Sequence, residues 1–142
     1  MGELTMSKNV PPVSKYMTPM PYTIELGDSL TKASDLMKEY KIRHLPVRSG
    51  TRTIGLLSFQ DVNLLSSFSS VDLNSTKVES AMARNPYCVT PDTALDIVAS
   101  HMAEQRIGSA LIIQENGTLV GIFTDTDALR ALAEVFQTRL RK

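Results

Sequence analysis

The chain has 142 residues, 42% of them hydrophobic and 21% charged, with 15 Lys+Arg set against 15 Asp+Glu. That is the composition of one globular domain or two very small ones, and the zero balance lacks the basic excess of a general nucleic-acid binder. One cysteine, Cys88, and two distant histidines, His44 and His101, exclude an internal disulfide and a zinc cage of three or four His and Cys ligands, and no apolar run approaches the roughly 18 residues of a membrane span.

Residues 1–12 have no positive stretch followed by an apolar one, so no secretory signal is expected. Gly2 opens like a myristoylation site, but Met6 stands where Ser or Thr is required. The segment reads as a flexible arm leading to Pro11-Pro12, and the cytoplasm is the default location. Tyr22-Thr23-Ile24 predicts a short extended piece. Asp28 is a good helix cap, and Leu30, Ala33, Met37 and Tyr40 behind it lie on one helical face. Two strands follow, His44 to Val47 and Ile54 to Leu57, turning through Ser49-Gly50-Thr51, and then a second helix. Residues 67–77 read as a Ser-rich linker.

The order then repeats. At an offset of 65 residues, Val13 falls on Val78, Met17 on Met82, Pro21 on Pro86, Tyr22 on Tyr87, Leu30 on Leu95, Met37 on Met102, Glu39 on Glu104 and Ile42 on Ile107. With one residue more, Gly55 falls on Gly121, Ser58 on Thr124 and Asp61 on Asp127. The second copy predicts an extended Tyr87-Cys88-Val89 and a helix capped by Asp92 with Leu95, Val98 and Met102 on one face. A hairpin of Ala110 to Ile113 with Leu119 to Phe123 turns at Asn116-Gly117. The last helix carries Leu129, Leu132, Phe136 and Leu140 on one side. Each copy is therefore β-α-β-β-α in about 60 residues, too small to bury much alone, and the two are expected to share one core. The expected boundaries are 13–66 and 78–136, with a basic tail over 137–142.

The segments Tyr16-Met17-Thr18-Pro19, Ile42-Arg43-His44-Leu45-Pro46-Val47 and Ile54 to Asp61 resemble a cystathionine beta-synthase (CBS) domain. Ala81-Met82, Ile107 to Ile112 and Val120 to Asp127 resemble it again, so the resemblance covers about residues 13–136. It implies an α+β tandem CBS pair, two β-α-β-β-α repeats packed about a pseudo-two-fold axis with two related clefts. It also implies a regulatory role through an adenosyl ligand, AMP, ADP or ATP above all, and assembly into a homodimer. The second copy departs in one place: Gly108-Ser109 and Leu111 stand where the first has Arg43-His44 and Pro46.

Both copies carry Gly-x-x-Ser/Thr-x-x-Asp. A hydroxyl at a helix start can donate to a phosphate, which the helix end also favours, and a carboxylate one turn later can accept from two ribose hydroxyls. The same spacing is that of a capping box, in which hydroxyl and acid serve the helix's own N–H groups. By resemblance, Asp61 and Asp127 take the ribose, Ser58 and Thr124 the phosphates, and Thr23, Ile24, Cys88 and Val89 the adenine. Arg43 and His44 stand where the family places phosphate contacts, and Arg43 has the fork for it; they also read as part of a solvated basic edge. There are eight basic and six acidic residues through Ser66, but seven and nine after it, which favours an anion in copy one. Cys88 reads as a small buried residue with no basic partner to make it reactive.

The chain is thus expected to be a stand-alone sensor of an adenosyl ligand, with no required cofactor and neither membrane nor nucleic acid as partner. The alternative is a dimerising module that docks to another protein, its clefts empty or structural. A hydrolase built on Ser58, His44 and Asp61 lacks the surrounding elbow and oxyanion motif, so no enzyme is expected.

Overall fold

The computed structural model describes residues 9–140. In chain order the elements are β1 (Thr18–Pro19), β2 (Ile24–Glu25), α1 (Leu30–Tyr40), β3 (His44–Ser49), β4 (Arg52–Ser58), α2 (Phe59–Ser66), β5 (Cys88–Val89), α3 (Leu95–Gln105), β6 (Ser109–Ile113), β7 (Leu119–Thr124) and α4 (Asp125–Val135). Two 3-10 turns, Val13–Lys15 and Val78–Ser80, precede the repeats, and a π-helical turn, Phe136–Leu140, prolongs α4. From β2 and from β5 the order is β-α-β-β-α, as the sequence predicts. The first strand, β1, has no counterpart in that reading.

Two units result, Pro21–Pro86 and residues 9–20 together with 87–140. In the first, the sheet order is β2-β3-β4, with β2 parallel to β3 and β3 antiparallel to β4. Leu30, Ala33 and Met37 of α1 are buried with Ile24, Leu45, Val47, Leu57 and Val62. Tyr40, read on the same face, is exposed at the last turn and stacks on Tyr22 with ring centroids 3.8 Å apart. In the second unit the order is β1-β7-β6-β5. Val98, Met102, Ala110, Ile112 and Phe123 form the core.

The packing is offset from the repeats. Val13, Tyr16 and Met17 precede the first repeat but pack into the core of the second unit, while Val78 and Met82 precede the second repeat and pack into the first. The backbone bonds match at the sequence offset. Leu30 N–H donates to the Thr76 carbonyl and Leu95 N–H to that of Pro11, both at 2.9 Å; Val78 N–H donates to Asp28 and Val13 N–H to Thr93, both at 2.8 Å. Each leading segment therefore satisfies a free N–H at the start of a helix in the other repeat. Pro11 and Pro12 are bound in this way; of the expected arm, residues 1–8 lie outside the described residues.

Both expected caps shift. The N-cap of α1 is Ser29, whose hydroxyl accepts from Lys32 N–H at 3.1 Å, and that of α3 is Ala94, which has no side-chain oxygen to offer. Asp28 lies one residue too early, accepting from Glu25 N–H and Lys32, and Asp92 accepts from the Thr90 hydroxyl. The last helix also turns its large side chains outward. Asp127 and Ala131 are its buried residues, while Leu129, Leu132 and Phe136 are exposed. Leu140 and the basic side chains of the expected tail lie outside the described side chains.

Candidate functional site

The register brings the predicted residues of each repeat to one end of its sheet. Ile24 pairs with Val47 in parallel and His44 with Ser58 in antiparallel, so Thr23, Arg43, His44 and Ser58 share an end. Phe59 N–H donates to the Arg43 carbonyl at 2.7 Å, and the Arg43 guanidinium lies 5.4 Å from the Phe59 ring centroid. These contacts hold the start of α2 against the basic pair. In the second unit Val89 pairs with Ile112 and Ser109 with Thr124, and Asp125 N–H donates to Gly108 at 3.1 Å. Cys88, Val89, Thr124 and Asp127 thereby take the equivalent places, with Gly108 and Ser109 where the cation and imidazole stood.

Both Ser/Thr-x-x-Asp segments are capping boxes. Ser58 Oγ accepts from Asp61 N–H, and Asp61 Oδ2 accepts from Ser58 N–H, each at 3.1 Å. Thr124 and Asp127 make the same reciprocal pair, at 3.4 and 2.9 Å. The Ser58 oxygen accepts in its box, which leaves its proton available to a phosphate. Beyond the box the two differ. Asp61 is half-buried, and among the described residues nothing donates to its Oδ1. Asp127 is 2% exposed and receives the Thr18 hydroxyl, the Thr124 hydroxyl and Arg130 as well.

The motif glycines meet protein rather than open space. A Cβ on Gly55 would lie 2.7 Å from the Ala83 carbonyl oxygen and 2.8 Å from Met82 Sδ, and one on Gly121 would overlap Met17. They admit the leading segments, Gly55 the Ala83 backbone and Gly121 the Met17 side chain. Ile24 is buried core, Thr23 and Val89 are half-buried, and Arg43 is exposed. Cys88, expected to be buried, is exposed because β5 is short and flanks only β6. Crowding around its sulfur still pushes the thiol pKa up, so it is protonated at neutral pH.

Sequence reasoning missed Thr18 and Arg130. Arg130 is three residues from Asp127, one helical turn, and could have been found. Thr18 is 109 residues away, and only the pairing of β1 with β7 brings it there. Among the described residues there is no cluster of His, Cys, Asp and Glu able to hold a metal, and no helix long and apolar enough to cross a membrane.

The CBS domain family matches residues 2–65 and 78–134. The chain belongs to the CBS domain family, as a tandem pair. It is 26% identical over 137 residues to an inosine-5'-monophosphate dehydrogenase of Korarchaeum cryptofilum, covering 96% of this chain and 28% of that enzyme. The chain thus spans about a quarter of the length of that enzyme and of a homoserine O-acetyltransferase of Methanohalobium evestigatum that it also matches. Two solved structures share the fold. CBSX2 in complex with AMP has a TM-score of 0.76 and 22% identity, covering 88% of this chain and 98% of that one. The CBS pair of protein MJ0100, in complex with 5'-methylthioadenosine and S-adenosyl-L-methionine, has a TM-score of 0.76 and 21% identity over the same shares.

Proposed function

We propose that this CBS pair is a regulatory module that binds an adenosyl ligand, of the AMP, ADP or ATP class, in its first repeat. Asp61 takes the ribose hydroxyls. Ser58, Arg43 and His44 take the phosphates, and Thr23 and Ile24 line the adenine. The observation that carries this reading is the Asp61 carboxylate, with one oxygen open beside a helix start, a basic residue and an imidazole at the same sheet end. Structural neighbours complexed with AMP and with S-adenosyl-L-methionine support the ligand class. The second repeat carries Cys88, Val89, Thr124 and Asp127 in the same order without the two basic residues. Binding would act on a regulated partner by differential affinity for two conformations, with the module as a homodimer in the cytoplasm and no catalysis of its own.

A thermal-shift titration with AMP, ADP, ATP, NADH and S-adenosylmethionine tests this. At one hundred times its dissociation constant, a ligand adds about 2.7 kcal/mol of stability. A saturable rise with one of them, lost in Asp61→Ala, is the expected result. No rise with any, in protein free of bound nucleotide, refutes the reading and favours a docking module, for which the exposed Leu129 and Leu132 of α4 and Phe136 just after it provide the surface.

A further inference from the structure

The two Ser/Thr-x-x-Asp boxes differ in what surrounds the carboxylate. An ionised carboxylate offers about four lone-pair sites. At Asp127 four donors fill them. Oδ1 accepts from Thr18 Oγ1 and from Arg130 Nη1, each at 3.0 Å, and Oδ2 accepts from Thr124 N–H at 2.9 Å and from the Thr124 hydroxyl at 3.1 Å. At Asp61 the one donor among the described residues is Ser58 N–H. The cause lies in the leading segments. Thr18 pairs with Ile122 beside the second box; Ala83 pairs with Leu56 at the same place beside the first, and a methyl group donates nothing. Thr124 has also given its hydroxyl proton to Asp127, so the group that would meet a phosphate is used.

Two independent features point the same way. Leu111 N–H donates to the Tyr87 carbonyl at 2.9 Å, while the equivalent Pro46 has no N–H, so that bond cannot form to Tyr22, whose carbonyl accepts no backbone bond among the described residues and can meet a base edge. Gly108 and Ser109 replace Arg43 and His44, which removes the positive charge a phosphate would meet.

We infer that Thr18 and Arg130 tie Asp127 into the second unit as a structural carboxylate, closed to a ribose, so that each chain takes one adenosyl ligand, at Asp61. This rests on the adenosyl reading above and adds to it the residue that sets the asymmetry. A ribose at Asp127 would have to displace donors that already fill the acceptor sites of a buried carboxylate.

The test uses AMP as probe, by isothermal calorimetry on the full chain, with thermal unfolding of the nucleotide-free protein beside it. The expected result is one AMP per chain, affinity about tenfold or more weaker in Asp61→Asn, and unchanged within about twofold in Asp127→Asn. Ala83→Thr, which grafts the Thr18 hydroxyl beside Asp61, should weaken AMP as well; if it fails to fold, Ala83→Ser carries the same hydroxyl with less bulk. Two AMP per chain, or loss of binding in Asp127→Asn with Asp61→Asn unaffected, overturns the inference. Each Asn variant keeps one amide oxygen to accept the same capping bond, so their difference in unfolding reads the tie alone. Asp127→Asn should melt about 5 °C or more below Asp61→Asn, and equal melting temperatures overturn the tie. If wild type binds no AMP, the calorimetry is run with whichever of the five ligands gave the thermal shift; if none did, the adenosyl reading fails with its stoichiometry, while the unfolding comparison still decides the tie.

Discussion

At Ser58 a single hydroxyl serves the helix and, in the proposed site, the ligand. Its oxygen accepts from Asp61 N–H, so Ser58→Ala should cost about 1 kcal/mol of stability, seen as a lower melting temperature, and weaken AMP binding together. Ser58→Thr keeps both functions. Cys88 offers a separate reading of its surroundings. Crowding raises its thiol pKa, so alkylation by iodoacetamide at neutral pH should be slower than for a free thiol, and its rate should still climb above the usual thiol pKa of about 8.5. The raised pKa favours the protonated folded form, so stability should fall as pH rises from the unfolded thiol's pKa towards the folded one. The sequence shows Ser-x-x-Asp and Thr-x-x-Asp plainly, because a capping box is local. It does not show that one carboxylate is buried and the other open, because Thr18 reaches Asp127 only through strand pairing. Asp28 and Asp92 mislead for a different reason: each has the right chemistry for a cap and lies one or two residues before the residue that holds the cap position.

Among the elements, β4 and β7 show how closely the leading segments pack. An alanine at Gly55 would press on the Ala83 carbonyl, which is backbone held by two bonds to Leu56. One at Gly121 would press on the Met17 side chain, which can move. Gly55→Ala should therefore destabilise by about 1–3 kcal/mol and Gly121→Ala by less, a ranking that urea unfolding can check. The last helix was legible as an amphipathic element, but its orientation was not. Periodicity reports two faces, and here Ala128 packs on the core and Ala131 is buried while the larger side chains face outward, Leu129 at 67% exposure. Such a face fits the proposed homodimer. Leu129→Glu with Leu132→Glu should leave the circular dichroism of the fold unchanged and turn a dimer into a monomer by sedimentation, lowering the melting temperature only by what association contributes.

Over the whole molecule, the repeat was legible from eight identities at one offset and the fold from the family resemblance, but the exchange of leading segments was not. Strand β1 is two residues long and leaves no periodic trace. The exchange separates two fragments that the sequence alone would rank the other way. Residues 21–86 contain a complete core with Val78 and Met82; residues 13–66 lack both and carry Val13 and Met17 with nothing of their own unit to cover them. The first fragment should show a cooperative thermal transition by circular dichroism, and the second should not.

The same connectivity orders events on the ribosome. Residues 21–86 can close as soon as Pro86 has left the exit tunnel, whereas Val13, Tyr16 and Met17 are made before them and wait for α3 and β7. An apolar segment that emerges ahead of the first unit is thus covered only after that unit has closed. A nascent chain stalled before Phe123 therefore carries one finished unit and, ahead of it, an uncovered apolar stretch that a chaperone can hold.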